Sequence, residues 1–522
     1  MSTLYTVGGI LNKLVYIVGG GTFAIKLAKV LIDNSINFEF VDELSARTLL
    51  GRNVYKAIDV PNVMAYFIIA ISHPQYANNA IDRLCDVGVI RSNILPLIYE
   101  SAANVLEHML NVDKFRFWRL LDENDGNFLS LEKKFFVENY NDLKHNSSNK
   151  KNIGFYYIGK GGGFRGHVLN LPLLLNENFE VKEFSDQPAH LHNIESYNVM
   201  SEHAMLDNSW PDIVINPHFF ECSPSNLPKL TMMHMVYDFL VYKDLVARVM
   251  GQPETHYLFI PSKPSMMLHQ NICKQYKLKN NIVLIPGGYP KLDDSIRKYE
   301  SIISSSSLKN SIIYAPTLSA LMTTDETKFT YSIFDAVEFI PAILSAFPDK
   351  NIIFRPHPDD LSILKQGVVT KRANAFRTLL ELCESDPRCS LDSGQSDYLS
   401  TFEKACVLIS DTSAIAYSFA LITKKPVIFY SADQNKVREL MADVAYINDR
   451  DRIGCCVDSI PELLNSLSNY FELDSKIDSD RVNFCDDIVY NKGKSLQYLI
   501  DNFDYIVSGE KHPEWWYSQD HC

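Results

Sequence analysis

The sequence predicts an α/β protein assembled from Rossmann-like units, and three stretches carry that prediction. Each reads as a short apolar strand, a turn of small or hydroxyl-bearing residues, and an apolar-faced helix, the repeating unit of parallel sheets. The first is a strand over 14–18, the turn Gly19-Gly20-Gly21-Thr22-Phe23-Ala24, a helix over 25–33 and a return strand over 38–41. The second is a strand over 153–158 running through a glycine-rich loop to His167, then a helix over 169–175. The third is a strand over 407–410, the turn Asp411-Thr412-Ser413, a helix over 414–421, then Lys424-Lys425-Pro426 and a strand over 427–430. A chain of 522 residues that is 46% hydrophobic can bury cores for three or four such domains.

The first unit fits G-x-G-x-x-A after a strand. Its glycines permit a tight turn and close approach of a phosphate, and Asp42, about twenty residues on, can accept from a ribose hydroxyl. Gly19, Gly20, Gly21 and Asp42 are therefore a candidate second nucleotide site. A further strand over 67–71 ends at Ser72-His73-Pro74, followed by a helix over 75–87. This layout resembles the small amino-terminal domain of PglD-type sugar acyltransferases, which implies nucleotide-sugar binding. The hexapeptide β-helix of that family is absent, so its acetyl transfer is not implied. A scaffold domain without a ligand is the competing reading, and a dehydrogenase lacks any downstream hydride-transfer domain.

Residues 102–140 read as helical, and 139–151 (NYNDLKHNSSNKK) as an exposed linker. The glycine-rich loop beyond the strand at 153–158 offers Lys160, Gly162 and Arg165 for an acceptor phosphate, or is a flexible connection. It lacks the GK[ST] ending of a Walker loop, which disfavours ATP hydrolysis. Downstream, PDIVINPHFF places His218 after a strand, and LTMMHMVYDFLVYK places His234 among Met232, Met233 and Met235, a setting equally suited to a packed core histidine.

Four motifs then follow in order. IPGGYPKLD ends at Asp293, and the strand-turn IIYAPTLS places Thr317 and Ser319 after a strand. The strand over 351–354 runs directly into Arg355-Pro356-His357-Pro358, with Asp359 and Asp360 next. Two prolines stiffen that strand's carboxyl end, where open α/β sheets place ligands, and hold an arginine and an imidazole near one point. Arginine grips phosphate oxygens with paired hydrogen bonds, and histidine can protonate a phosphate leaving group. Fourth is the corner at Asp411, Thr412 and Ser413, where hydroxyl and carboxylate side chains could cap a helix whose amides attract a diphosphate.

The ordered set GYPKLD, IIYAPT, FRPHP and SDTSAIAYSFALITKKPVIFY resembles the CDP-glycerol glycerophosphotransferase family, over roughly residues 210–435. The resemblance implies a GT-B architecture, two Rossmann-like domains with the nucleotide donor held mainly by the second. It implies Arg355 and His357 on the donor diphosphate, Thr412 and Ser413 at the phosphate-binding helix start with Asp411 just before it, and Thr317 and Ser319 approaching the donor. The better-known branch carries an HGTPLK-like segment whose histidine is the general base. This chain has none, so His218 and His234 stand as alternatives, with His357 as the third candidate catalytic group. The implied domains are 1–110, an extra small Rossmann-like domain; 111–150, a connector; 151–275, the acceptor-side GT-B domain; 276–470, the donor domain; and 471–522, carboxyl-terminal helices.

Fifty basic and sixty-three acidic residues give a net charge of −13, which argues against a nucleic-acid partner. Ten cysteines without a CxxC pair indicate neither zinc nor a disulfide framework and suit a reducing cytoplasm. No apolar run of about eighteen residues is present. Helices are expected at 332–347, kinked or broken at Pro341, and at 373–382, 462–471 and 495–503; Trp515-Trp516-Tyr517 docks onto the body or meets a partner or membrane.

The function expected is transfer of glycerol phosphate, or a related polyol phosphate, from a CDP-activated donor to a hydroxyl of a surface glycan or lipid-linked polymer. CMP leaves. The enzyme is expected in the cytoplasm or at the inner membrane face. No cofactor is required by the motifs, and Asp359 and Asp360 leave Mg²⁺ open. A GT-B glycosyltransferase using a nucleotide sugar and a non-catalytic nucleotide-sugar-binding assembly subunit are the alternatives.

Overall fold

The computed structural model describes residues 14–95, 150–157, 165–185, 196–198, 210–219, 224 and 226–521, with short gaps at 34–35, 44–47, 72–73, 91–92, 234, 238–242, 279, 304–309, 323–327, 394–397, 443 and 473–477. The chain divides into two compact units, Met1–Arg165 with Asn170–Lys229, and Gly166–Leu169 with Leu230–Cys522. His73, Lys160, Gly162, His234, the side chain of Arg165 and the segment 102–140 lie outside the described residues.

The first unit opens with the expected half-Rossmann. Strands β1 (Val15–Val18), β2 (Phe38–Val41), β3 (Thr48–Leu49), β4 (Arg52–Tyr55), β5 (Tyr66–Ile69) and β6 (Ile94–Leu95) lie in the order β3-β4-β2-β1-β5-β6. All pairings are parallel except the β3–β4 hairpin. Helix α1 (Thr22–Asp33) begins three residues earlier than the apolar periodicity suggested, and α2 (Pro74–Asp86) follows β5. Gly19 has φ +120°, and a Cβ there would sit 2.8 Å from the Ala70 carbonyl oxygen. Glycine is what lets the end of β1 pack against the end of β5. The same unit holds β7 (Asn152–Tyr157), β8 (Glu180–Ser185), β9 (Ser196–Asn198) and β10 (Ile213–Asn216), parallel in the order β10-β7-β8-β9.

The second unit contains β11 (Lys229–Met232), β12 (His256–Ile260), β13 (Ile282–Pro286) and a six-stranded parallel sheet. That sheet comprises β14 (Ser311–Ala315), β15 (Asn351–Phe354), β16 (Cys389–Leu391), β17 (Ala405–Ser410), β18 (Val427–Tyr430) and β19 (Gly454–Val457), in the order β16-β15-β14-β17-β18-β19. Its central strands are buried on both faces, which is why Ile312–Tyr314, Ile352–Phe354 and Val407–Ile409 read as continuous apolar runs without alternation. The chain leaves β14 toward β15 on one side and later fills β17 on the other. The switch point, where such sheets bind ligands, therefore lies between the carboxyl ends of β14 and β17.

Helix α3 (Pro290–Ile302) carries the end of the GYPKLD motif, which is scaffold. The Asp293 carboxylate accepts the backbone N–H groups of Gly493 at 2.7 Å and Ser495 at 2.9 Å, tying the carboxyl-terminal segment down. Of the kink or break expected at Pro341, the break does not occur: helix α4 (Ile333–Ala346) runs through Pro341 as one element. Pro341 is exposed, so water can serve the carbonyl its missing N–H leaves, while Ile333, Ala336, Phe339, Ile340 and Ile343 hold the helix by burial. Trp516–Tyr517 forms β20 and pairs antiparallel with β13. Trp515 is buried and donates to the Tyr498 hydroxyl at 3.1 Å, so these aromatics dock onto their own unit. Cys383 and Cys389 bring their sulfurs to 2.9 Å, a thiol pair that a search for CxxC spacing passes over. Among the described residues no helix is long and apolar enough to cross a membrane.

Candidate functional site

Three loops meet at the switch point, and Asp411 joins two of them. Its carboxylate is 2% exposed. Oδ1 accepts the Thr317 N–H at 2.9 Å, and Oδ2 accepts both the N–H and the hydroxyl of Ser332 at 2.9 Å. Burial pushes its pKa up, and the Ser332 and Thr317 amides oppose that shift. The expectation of side-chain capping at this corner needs correction. The helix Ile415–Thr423 begins with Ala414 at the N-cap and has no side-chain cap. The Asp411 carboxylate is committed to the neighbouring loops, and the Thr412 hydroxyl donates to the Thr330 carbonyl at 3.0 Å. A helix start without a side-chain cap keeps its dipole and amide donors oriented toward an anion.

Two residues that motif reading missed brace this corner from behind. Arg450 donates from Nη2 to the Asp411 carbonyl at 2.8 Å, and the Tyr446 hydroxyl donates to the Ser413 carbonyl at 2.6 Å. Arg450 is 2% exposed and packs over the rings of Phe429 and Tyr446 at 4.6 and 5.3 Å. In the sequence it sits in Asp449-Arg450-Asp451-Arg452, which looks like a solvated charge run and carries no signal of burial.

Beside the corner, β15 delivers Arg355 and His357. The Arg355 N–H donates to the Tyr314 carbonyl at 2.8 Å, continuing the β14–β15 ladder past the strand end. Its guanidinium is buried and ion-paired with Asp392, whose carboxylate also accepts the Thr401 hydroxyl, so its orientation is held by two elements. His357 is the N-cap of the helix Pro358–Lys365, and its Nδ1 accepts the Asp359 N–H at 3.2 Å. A neutral imidazole accepting at Nδ1 carries its proton on Nε2. The ring is 41% exposed, which leaves it accessible to a ligand.

Asp360 is fully buried, and Oδ1 accepts the N–H groups of Ser319 at 3.1 Å and Ala320 at 2.7 Å. Burial pushes its pKa up to about 7, against the pull of those two amides. The Ser319 hydroxyl is buried with no hydrogen-bond partner among the described residues. Among the described residues no group of three or more His, Cys, Asp or Glu side chains could hold a metal ion. Thr317, Ser319, Arg355, His357, Asp411, Thr412 and Ser413 thus follow the ends of three adjacent strands of one sheet. His218 follows β10 in the first unit, as Gly19, Gly20, Gly21 and Asp42 follow β1 and β2. At the end of the glycine-rich loop, His167 meets the GYPKLD motif: its Nδ1 lies 2.7 Å from the Tyr289 hydroxyl, with both side chains buried.

Parallel Rossmann-like sheets with an arginine, an imidazole and a helix start at a switch point define an α/β protein with its candidate ligand corner at the strand ends. Residues 251–504, just under half of the chain, match the model of the CDP-Glycerol:Poly(glycerophosphate) glycerophosphotransferase family. The match continues beyond position 435, where the motif resemblance ended, because it takes in the carboxyl-terminal helices that Asp293 ties down. Among solved structures, the wall teichoic acid polymerase TagF is similar at 16% identity, over 77% of this chain and 99% of that one, with a TM-score of 0.47. A glycosyltransferase from Rickettsia africae ESF-5 aligns at 14% identity over 70% of this chain and 100% of that one, TM-score 0.42. A UDP-N-acetylglucosamine 2-epimerase aligns at 11% identity over 70% and 98%, TM-score 0.44. No curated protein matches the chain. The match over residues 251–504 favours CDP-glycerol-dependent transfer over both alternatives.

Proposed function

We propose that the corner formed by Arg355, His357, Thr412 and Ser413 holds the diphosphate of CDP-glycerol while an acceptor hydroxyl attacks the distal phosphorus. The new bond joins the acceptor oxygen to that phosphorus. The bond that breaks joins it to the bridging oxygen, and the electron pair leaves with CMP. Charge grows on the CMP phosphate during departure, so the catalytic need is preorganised positive potential there. Arg355 supplies a fixed cation, the helix start at Ile415 supplies oriented amides, and Nε2–H of His357 donates to the departing oxygen. Each well-aimed donor of this kind is worth about 3 kcal/mol of barrier.

The observation that carries the reading is the joint placement of Arg355 and His357 beside an uncapped helix start at one sheet's switch point. Thr317 and Ser319 border the same place through their bonds to Asp411 and Asp360. A histidine of the amino-terminal half, His218 or His234, takes the acceptor proton. The acceptor is a hydroxyl of a surface glycan or a lipid-linked polymer, met at the inner face of the membrane. The test is acceptor-dependent CMP release from CDP-glycerol by the purified protein. Release lost in His357→Ala with unchanged folding supports the assignment; release at the wild-type rate in that variant overturns it.

A further inference from the structure

We propose that the amino-terminal sheet carries a second ligand site, one that recognises the ribose of a nucleoside or nucleotide, in a cavity at the carboxyl ends of β1, β2 and β5. The cavity has a volume of about 260 Å³ and is walled by Gly19 after β1, Asp42 after β2, Ala57 after β4, Ile71 after β5 and Arg83 of α2. In the order β4-β2-β1-β5 the chain fills one side of β1 with β2 and only later the other side with β5. The cavity therefore occupies this sheet's own switch point, the place where open parallel sheets bind ligands. Its volume falls just below the roughly 300–1,000 Å³ of small-molecule pockets, a size for one nucleoside and too small for a dinucleotide.

The wall chemistry divides by role. Val41, Ala57 and Leu84 are buried apolar groups that suit the flat face of a base. Glu43 is structural, because its carboxylate accepts the Ala57 N–H at 3.0 Å. Asp42 is placed by its backbone, whose N–H donates to the Tyr55 carbonyl at 2.9 Å, and it lines the cavity. A carboxylate at the end of the second strand is the group that accepts from a vicinal ribose diol. Arg83 adds a cation for a 5′-phosphate. The glycine turn matters on the same wall: Gly19 brings backbone against backbone, and a Cβ on Gly21 would meet nothing within 4 Å, leaving that approach open.

The site lies in the first unit, whereas Arg355 and His357 belong to the second, so the two can be tested apart. Full-length Arg355→Ala protein, with the donor corner weakened, would be titrated calorimetrically with CMP, UMP, AMP and GMP and with their 2′-deoxy counterparts. At least one ribonucleotide should bind at one equivalent, at least tenfold tighter than its deoxy form. Asp42→Asn, which keeps the backbone bond to Tyr55, should weaken it at least tenfold, and Ala80→Trp, which fills the cavity, should abolish it. The deoxy comparison needs no change to the site, so it stands even where a variant fails to fold. Absence of binding by all four ribonucleotides, equal binding of ribo and deoxy forms, or binding that survives both substitutions overturns the proposal.

Discussion

The Asp411 carboxylate accepts the backbone N–H of Thr317 at 2.9 Å, joining two loops 94 residues apart in the chain. The same carboxylate holds Ser332, so one buried anion sets the relative position of the β14 loop, the start of α4 and the phosphate corner. Its role is to position the residues around it.

Asp411→Asn should therefore damage folding and activity together. An amide must turn its NH₂ toward either Thr317 or Ser332, both of which present donors, leaving a buried N–H without an acceptor. The cost is roughly 3 kcal/mol, read as a lower urea midpoint, with CMP release falling more than tenfold.

Asp360 makes stability depend on pH in an unusual direction. Its folded pKa of about 7 lies above the ordinary value of 3.8, so the folded state binds the proton more tightly than the unfolded chain. Its contribution is fully present below about pH 4 and is lost as pH rises through about 7. Wild-type protein should lose more stability between pH 5 and pH 8 than Asp360→Asn, by up to roughly 3 kcal/mol, in urea melts at the two pH values. An equal change in both proteins would refute the assignment.

Arg355 and His357 should separate by experiment although they share a strand end. Asp392→Ala leaves the buried Arg355 guanidinium without its ion-pair partner, and should cost about 3 kcal/mol of stability as well as most activity. His357→Ala removes a half-exposed ring whose Nδ1 caps a helix, about 1 kcal/mol in stability, while abolishing CMP release. Thermal melts alongside CMP chromatography distinguish the two.

Gly288 tests whether the GYPKLD segment is scaffold. It has φ +100°, and a Cβ there would collide with Ser495 and the Tyr490 carbonyl. Gly288→Ala should abolish soluble folded protein, whereas Gly367→Ala, at φ +77° with nothing within 4 Å, should cost only about 1–2 kcal/mol by thermal melt.

Much of the fold was legible because buried parallel strands leave a strong mark. Asn351–Phe354 and Val427–Tyr430 coincide with the apolar runs that announced them, since a strand covered on both faces is mostly apolar. The helix stays unbroken at Pro341 because local propensity is weaker than a buried apolar face, which appears only once neighbours are in place. The motifs at Arg355, His357 and Thr412 were visible because they sit at strand ends and carry residue types with few structural uses there.

By itself the sequence determined the strand-turn-helix units, the order of the motifs and the family model that residues 251–504 match. Only the tertiary structure decided which polar groups face a ligand and which brace the scaffold. Asp411, Asp360 and Arg450 are charged and look like surface or ligand groups in one dimension, yet all three are buried and bonded to backbone groups far away in the chain. The physical reason is that burial and hydrogen-bond partnership are properties of packing. A carboxylate has the same letters in the sequence whether it meets water, a phosphate or a neighbouring loop's amides.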